Sequence, residues 1–258
     1  MSVVDELCED LLAERADLIA VLEPLDATGW ATATPAPGWS VLDQVTHLAY
    51  FDDRATEGMA DPETFRAGRA AFIADVDGGV DRVRGELASM PGDEVLAWLR
   101  RSGPAFVDEA RRHDADERVP WYGPDMSLPT AITARIMETW AHGQDVVDAL
   151  GVTRPPSDRL RHVAFLSYRA IPNSFLAHGR PVPEAPVRVE LDDVVFGPDD
   201  AVDVVRGPLL DFCLVATQRR HPADTALVTE GPVAAEWLTI AQVFAGPPGA
   251  GREPGQFS

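Results

Sequence analysis

The sequence contains no lysine, and all 22 of its basic residues are arginines. Without a lysine amine, Schiff-base catalysis and a P-loop nucleotide site are excluded. Codon usage in a GC-rich genome accounts for a preference for arginine over lysine. Only the exclusion of lysine-dependent chemistry therefore bears on mechanism.

Cysteine is also scarce, and long apolar runs are missing. Cys8 and Cys213 lie far apart in apolar-patterned stretches, where a lone thiol behaves as a small hydrophobe, so we expect no disulfide framework and no thiolate metal cluster. No apolar run approaches the roughly 20 residues of a membrane-spanning helix. Residues 1–10 include acidic side chains, whereas a signal peptide begins with a basic segment. We therefore expect a cytoplasmic protein.

Basic residues are fewer than acidic ones: the chain has 22 basic and 42 acidic residues, which give a formal net charge of −20. This charge works against binding to a phosphate backbone or an anionic bilayer. We therefore expect no nucleic-acid partner and no membrane partner. The chain has 258 residues, 45% of them hydrophobic, which is enough for one large or two modest packed domains.

Apolar residues recur at helical spacing in the first part of the chain. Ser40 with Asp43 forms a capping-box pattern that predicts a helix start. We expect breaks at Gly78-Gly79 and before Pro172, a kink at Gly103-Pro104 and a loop over 118–126. The predicted helices cover residues 3–22, 40–59, 61–90, 93 onward, 127–150 and 157–171.

After Gly179 the composition changes to a proline-rich linker and alternating apolar residues, which are typical of strands. Strands are predicted at 187–191, 194–196, 202–205 and 226–229, with helices at 209–218 and 232–244. The fold class is therefore predicted as α+β. It comprises a helical bundle over residues 1–179, a small α/β domain over 180–246 and a disordered tail over 247–258.

Three residues could form a metal site. Glu138 and His142 are four residues apart in a predicted helix, so they lie on the same face and can bind one ion. His47, on an earlier helix, would be a third ligand and leave one coordination position open for water or substrate, as in catalytic sites. A Glu-x-x-x-His pattern also arises often by chance in a helical protein, so spacing alone does not settle this assignment.

Two carboxylates lie one turn from the candidate ligands. Asp43 precedes His47, and Asp145 follows His142. Either carboxylate could accept the free N–H of a ligand imidazole and so act in catalysis through it. Asp145 could instead be a fourth ligand.

Three segments resemble one known family. Residues 38–48, 119–124 and 137–145 are similar to the mycothiol-dependent maleylpyruvate isomerase branch of the DinB-like metal-binding superfamily. The resemblance covers most of the chain and extends to 207–212, 218–220 and 229–231 in the second domain. It implies a DinB-like bundle that binds a divalent metal, usually Zn²⁺, through residues matching His47, Glu138 and His142.

The resemblance also implies an activity, in which the metal activates the thiol of mycothiol for reaction with an electrophilic small molecule. Trp121 and Tyr122 would then line the cleft, or simply pack in a loop. Arg54 and Arg135, each within about two helical turns of a ligand, could bind a carboxylate of thiol or acceptor, or form salt bridges.

Three functions follow from these observations. The first is a metal-dependent thiol transferase or isomerase with mycothiol as the low-molecular-weight thiol co-substrate. The second keeps the metal but uses a bound water, which gives hydrolase or lyase chemistry. The third is a non-catalytic protein that binds a small apolar ligand.

Overall fold

The computed structural model describes residues 2–74 and 76–257. The chain folds into two compact units, Met1–Arg154 and Pro155–Ser258. The boundary falls earlier than the predicted end of the bundle at residue 179. The reason is packing, because the helical segment after residue 160 packs within the second unit, where the Cys213 thiol lies 3.5 Å from the carbonyl oxygen of Leu160.

The first unit is a helical bundle. Its helices are α1 (Val3–Leu22), α2 (Ala27–Trp30), α3 (Val41–Ala60), α4 (Pro62–Ala74), α5 (Val76–Leu87), α6 (Gly92–Ala110) and α7 (Leu128–Leu150). Helices α1 and α3 each pack against both α6 and α7. Serine caps begin three of the long helices, and the predicted capping box of Ser40 and Asp43 is confirmed at the start of α3.

Apolar faces of the four long helices form the core of this unit. One buried cluster includes Leu11, Phe106 and Ile136, and a second includes Leu48 and Val146. At roughly 25 cal/mol per Å² of apolar surface, removal of these side chains from water is the main favourable contribution to folding. The bundle therefore fixes α3 and α7 against each other, which matters for the site described below.

Two local predictions for the first unit are wrong. Gly78 and Gly79 lie inside α5, where a Cβ added at Gly79 would approach the Phe72 ring of α4 to 2.8 Å. Glycine therefore permits close helix packing here and does not break the helix. Helix α6 continues through Pro104, and the kink at Gly103-Pro104 stays a prediction. The predicted loop over 118–126 includes a short antiparallel pairing of β1 (Arg118–Val119) with β2 (Met126–Ser127).

The second unit is a small α/β domain, so the α+β fold class is confirmed. Its helices are α8 (Leu160–Arg169), α9 (Ile171–Ala177), α10 (Leu209–Ala216) and α11 (Pro232–Ile240), with a short 3₁₀ turn at Pro222–Asp224. Its strands are β3 (Val187–Leu191), β4 (Val194–Phe196), β5 (Asp203–Gly207) and β6 (Val228–Glu230), in the order β4-β3-β5-β6. Within this sheet, as far as the structure describes the chain, β3 and β5 form the one parallel pair.

The predicted break before Pro172 is confirmed, because α8 ends at Arg169 and a separate helix, α9, begins at Ile171. Pro172 lies in the first turn of α9, where its missing N–H costs no helical hydrogen bond. The tail predicted as disordered makes specific contacts. The Arg220 guanidinium lies 4.0 Å from the ring centroid of Phe257, and the Gly255 amide donates to Asp224 at 2.8 Å.

Among the described residues, no helix is both long enough and apolar enough to cross a membrane. The cytoplasmic location stays a prediction.

Candidate metal centre

Helix α7 places a carboxylate and an imidazole side by side. Residues four apart on a helix project from the same face, and Glu138 Oε2 lies 3.2 Å from His142 Nε2. The helix starts where the Ser127 side chain accepts from the Thr130 amide, and it ends at Gly151 with φ of 65°. Both predicted helix ends are therefore confirmed.

His47 reaches the same carboxylate from α3. Its Nε2 atom lies 3.6 Å from Glu138 Oε2, and its ring centroid lies 4.3 Å from that of His142. One ligand atom from each of the three residues can be chosen so that all lie within 4.8 Å of one another. Packing of α3 on α7 thus brings the three predicted ligands together.

The distances suit a tetrahedral ion. Two ligand atoms bonded at about 2 Å to a tetrahedral Zn²⁺ lie roughly 3.3 Å apart. The separations of 3.2 and 3.6 Å from the Glu138 oxygen to the two imidazole nitrogens are close to this value. The three residues therefore fit a divalent ion with three protein ligands and one remaining coordination position.

The surroundings of His47 and Glu138 favour the protonation states in which these side chains bind a metal ion. Removal from water, with the neighbouring His142, lowers the pKa of His47 to about 4. Burial alone would raise the pKa of Glu138, but its contacts with the two imidazoles outweigh burial and hold it well below its usual range. At neutral pH, His47 is therefore neutral and Glu138 is ionised, as metal binding requires.

The partner of the His142 imidazole is Gln44, which the sequence reasoning did not select. Nδ1 of His142 is hydrogen-bonded to Oε1 of Gln44, one turn before His47 on α3. The predicted partner Asp43 lies elsewhere, because its carboxylate accepts from the Ser40 amide at 2.8 Å and faces Arg84. Among the described residues, only the three predicted ligands converge closely enough to share an ion, so a fourth ligand from Asp145 is not supported. The only sequence signal for Gln44 was its helical spacing from His47.

An indole ring lies beside both imidazoles. The ring centroid of Trp39 is 5.5 Å from that of His47 and 5.9 Å from that of His142. The Arg84 guanidinium of α5 lies 4.8 Å from the Trp39 ring centroid and donates to the Gly38 carbonyl. Helix α5 thus holds the loop that places Trp39 at the site, a role that sequence reasoning assigned to neither residue.

Trp121 and Tyr122 reach the site through Phe51. The Phe51 ring lies 4.5 Å from His47, 5.9 Å from Trp121 and 5.8 Å from Tyr122, measured between centroids. Tyr122 also contacts Phe72 of α4 at 4.4 Å. The two predicted residues therefore belong to an aromatic cluster that extends from the His47 side of the site.

The two predicted arginines are engaged in ion pairs. Arg135 is buried, and it donates to Asp52 at 2.9 Å and to the Leu48 carbonyl at 3.1 Å. These bonds give Arg135 a structural place, and the salt-bridge alternative is the one observed. Arg54 pairs with Glu57 at 2.5 Å and remains about one-third exposed.

Fold and site together define a class: an α+β protein whose helical bundle carries a candidate two-histidine, one-glutamate metal centre. The model of the mycothiol maleylpyruvate isomerase N-terminal domain family matches residues 11–147, which include all three candidate ligands and more than half of the chain. The chain belongs to this family. The resemblance inferred from the sequence is confirmed.

Several known proteins are similar to this chain over most of its length. The uncharacterized proteins MT0041 and Rv0036c of Mycobacterium tuberculosis, from strains CDC 1551 / Oshkosh and ATCC 25618 / H37Rv, are each 41% identical over 94% of this chain and 96% of their own. Crystal structures of the mycothiol-dependent maleylpyruvate isomerase and of a mutant of it match with TM-scores of 0.61 and 0.60. Their sequence identities are 16% and 15%, and each match covers 89% of this chain and 95% of the other. At such identity the crystal structures establish the shared fold.

Proposed function

We propose that this protein is a metal-dependent transferase or isomerase that uses mycothiol as co-substrate and acts on an electrophilic small molecule. The observation that carries the proposal is the convergence of His47, Glu138 and His142 within the segment that matches the family. Mycothiol is named in that family and in the structures of similar fold. We propose Zn²⁺ as the ion, because two imidazoles and one carboxylate are a ligand set that zinc accepts.

A divalent ion held by these residues would lower the pKa of a coordinated thiol, so that the nucleophile is ionised at neutral pH. The protein side chains supply the rest of the site. Imidazoles are neutral when they bind an ion and Glu138 would contribute one negative charge, so the loaded site would keep a net positive charge that attracts an anionic nucleophile.

The aromatic groups around the ligands would shape the acceptor site. We propose that Trp121 and Tyr122, with Phe51 between them and His47, form an apolar wall that positions the acceptor and limits access of water. Arg54 lies with its guanidinium 5.6 Å from the Tyr50 ring centroid, beside this wall, and its contact with an anionic group stays a prediction.

Elemental analysis of purified protein tests the metal centre. We expect about one equivalent of metal in the wild type and a large loss in each of His47→Ala, Glu138→Ala and His142→Ala. The chain contains a matched control, because Glu109 and His113 have the same i, i+4 spacing and the same 3.2 Å contact. His113→Ala should keep full metal content. Full retention in all three site variants would reject the assignment.

A turnover assay separates the proposed activity from its alternatives. Electrophilic acceptors are supplied with and without mycothiol, using metal-loaded wild type and Glu138→Ala. Turnover that needs both the thiol and the intact site supports the proposal. Metal-dependent turnover without thiol would favour a hydrolase or lyase that uses a bound water. Binding of an apolar ligand with no turnover would favour a non-catalytic protein.

A further inference from the structure

A chain of hydrogen bonds leads from His142 to the loop before α3. His142 Nδ1 is bonded to Gln44 Oε1, and the Gln44 amide nitrogen donates to Thr34 Oγ1 at 2.9 Å. The Thr34 hydroxyl in turn donates to the Trp39 carbonyl oxygen at 2.9 Å. The Gln44 amide, the Thr34 hydroxyl and the Trp39 carbonyl are all uncharged groups.

The number of available protons fixes which group donates in each of these hydrogen bonds. A carbonyl oxygen only accepts, so the single hydroxyl proton of Thr34 is used on Trp39, and Thr34 Oγ1 must accept from its other neighbour. That neighbour is therefore the NH₂ end of the Gln44 amide, which leaves the amide oxygen facing His142. A flipped amide would place two oxygens against the Thr34 hydroxyl with one proton to share, so one of its two 2.9 Å contacts would become a repulsive contact between oxygen lone pairs.

The direction of these hydrogen bonds determines which ring nitrogen of His142 is left to bind an ion. Since Gln44 Oε1 can only accept, His142 Nδ1 carries a proton and donates to it. Nε2, which lies 3.2 Å from Glu138 Oε2, is then the ring nitrogen whose lone pair can bind an ion. Gln44 is 1% exposed, so its amide cannot exchange these partners for bulk water.

We propose that Gln44 is a positioning residue that holds His142 in the Nδ1–H tautomer and so presents Nε2 as its ligand atom. This inference rests on the proposed metal centre, and it assigns to a side-chain amide the role that carboxylates and backbone carbonyls have behind many metal-bound histidines. Loss of such a partner commonly weakens metal binding by about 10–100-fold.

Long-range ¹H–¹⁵N NMR of the Zn²⁺-loaded protein reports which ring nitrogen of His142 carries the proton, and competition with a chromophoric chelator reports Zn²⁺ affinity. Wild type should show the Nδ1–H form. Gln44→Met keeps the side-chain length, but its thioether is only a weak hydrogen-bond acceptor. It should give a mixture of tautomers and bind Zn²⁺ about 10–100-fold more weakly. Gln44→Glu can still accept from Nδ1, so it should restore the wild-type tautomer.

Thr34→Val supplies a second variant in case Gln44→Met does not fold, as judged by circular dichroism. It removes the acceptor for the Gln44 amide nitrogen and should also mix the tautomers, by loosening the amide orientation. The inference is overturned if folded Gln44→Met, or Thr34→Val in its place, retains the wild-type tautomer and Zn²⁺ affinity. If wild type binds no Zn²⁺, the proposed metal centre itself fails, whereas equal Zn²⁺ affinity of wild type and folded Gln44→Met overturns only the role of Gln44.

Discussion

Replacing Asp52 with asparagine tests whether a buried charge cluster holds the bundle together beside the candidate metal centre. Asp52 is 0% exposed and lies on α3, about one turn beyond Leu48. It accepts from Arg15 of α1 at 2.7 Å and from Arg135 of α7 at 2.9 Å. The Ser102 hydroxyl of α6 also donates to it at 3.2 Å, so one carboxylate joins four helices of the bundle.

The expected loss of stability follows from the charges that would remain. Arg15 and Arg135 are 2% and 3% exposed, so Asp52→Asn would leave two buried guanidinium groups without their shared carboxylate. Burial lowers the pKa of Arg15 only to about 10, so this arginine stays charged at pH 7. Breaking a buried ion pair from one side costs about 3–5 kcal/mol. For a unit of this size that is a fall in Tm of about 8–16 °C.

Urea unfolding at pH 7 in the presence of a chelator measures the change without a contribution from bound metal. Arg15→Met provides an internal comparison, since it leaves Asp52 paired with Arg135 and should cost less than Asp52→Asn. Glu23→Gln provides a surface control. Its ion pair with Arg100 is about half exposed on both sides, so the expected change is below about 0.5 kcal/mol.

Two results would refute this reasoning. A loss of less than about 1 kcal/mol for Asp52→Asn would mean that the cluster is solvated or neutral and does not join the helices. A loss for Arg15→Met equal to or larger than that for Asp52→Asn would mean that packing of the arginine stem contributes more stability than the shared carboxylate does.

Three further predictions concern other parts of the first unit. Adding Zn²⁺ at about 100 times its Kd should raise the free energy of unfolding of the wild type by about 2.7 kcal/mol, which a thermal-shift assay detects as a higher Tm. Glu138→Gln should lose most of this increase in Tm, and equal increases for both proteins would contradict the site. Hydrogen bonding to Glu117, against a smaller effect of burial, raises the pKa of His113 in the folded state. Its ion pairs therefore stabilise the fold below the unfolded pKa of about 6.5 and lose this effect as pH rises through the folded value. His113→Gln should accordingly cost about 0.5 kcal/mol in urea unfolding at pH 5.5 and close to nothing at pH 8.5, and a pH-independent difference would contradict the ion-pair explanation. Gly79→Ala should destabilise the protein by about 1 kcal/mol because its Cβ would meet a ring atom of α4 at 2.8 Å. Gly85→Ala on the same helix, with nothing within 4 Å, should instead stabilise by up to about 1 kcal/mol; if both changes stabilise, the close contact is not limiting.

Much of the candidate site could be predicted because its determinants are local. The spacing of Glu138 and His142 fixes their common face once the segment is helical. The capping box at Ser40 and the glycine after α7 set the limits of both ligand-bearing helices. The family motifs then selected His47 as the third ligand.

Other features depended on contacts between distant segments. Gln44 and His142 are 98 residues apart, so their hydrogen bond could not be inferred from helical spacing on either helix. Spacing also suggested Asp43 as the imidazole partner, but the same carboxylate closes the capping box and faces Arg84 of α5. An acidic residue one turn from a ligand has several possible partners, and packing selects among them.

By itself, the sequence determined the helices that carry the candidate ligands, the α+β class and the choice of the three candidate ligands, because helical periodicity, caps and motifs are short-range properties of the chain. Tertiary structure alone decided that Arg135 lies in a buried ion pair, that Gln44 contacts His142 and that the tail packs through Phe257. The physical reason is that the rotation of each helix about its axis is set by how its apolar face packs against the others. That rotation determines which polar side chains meet.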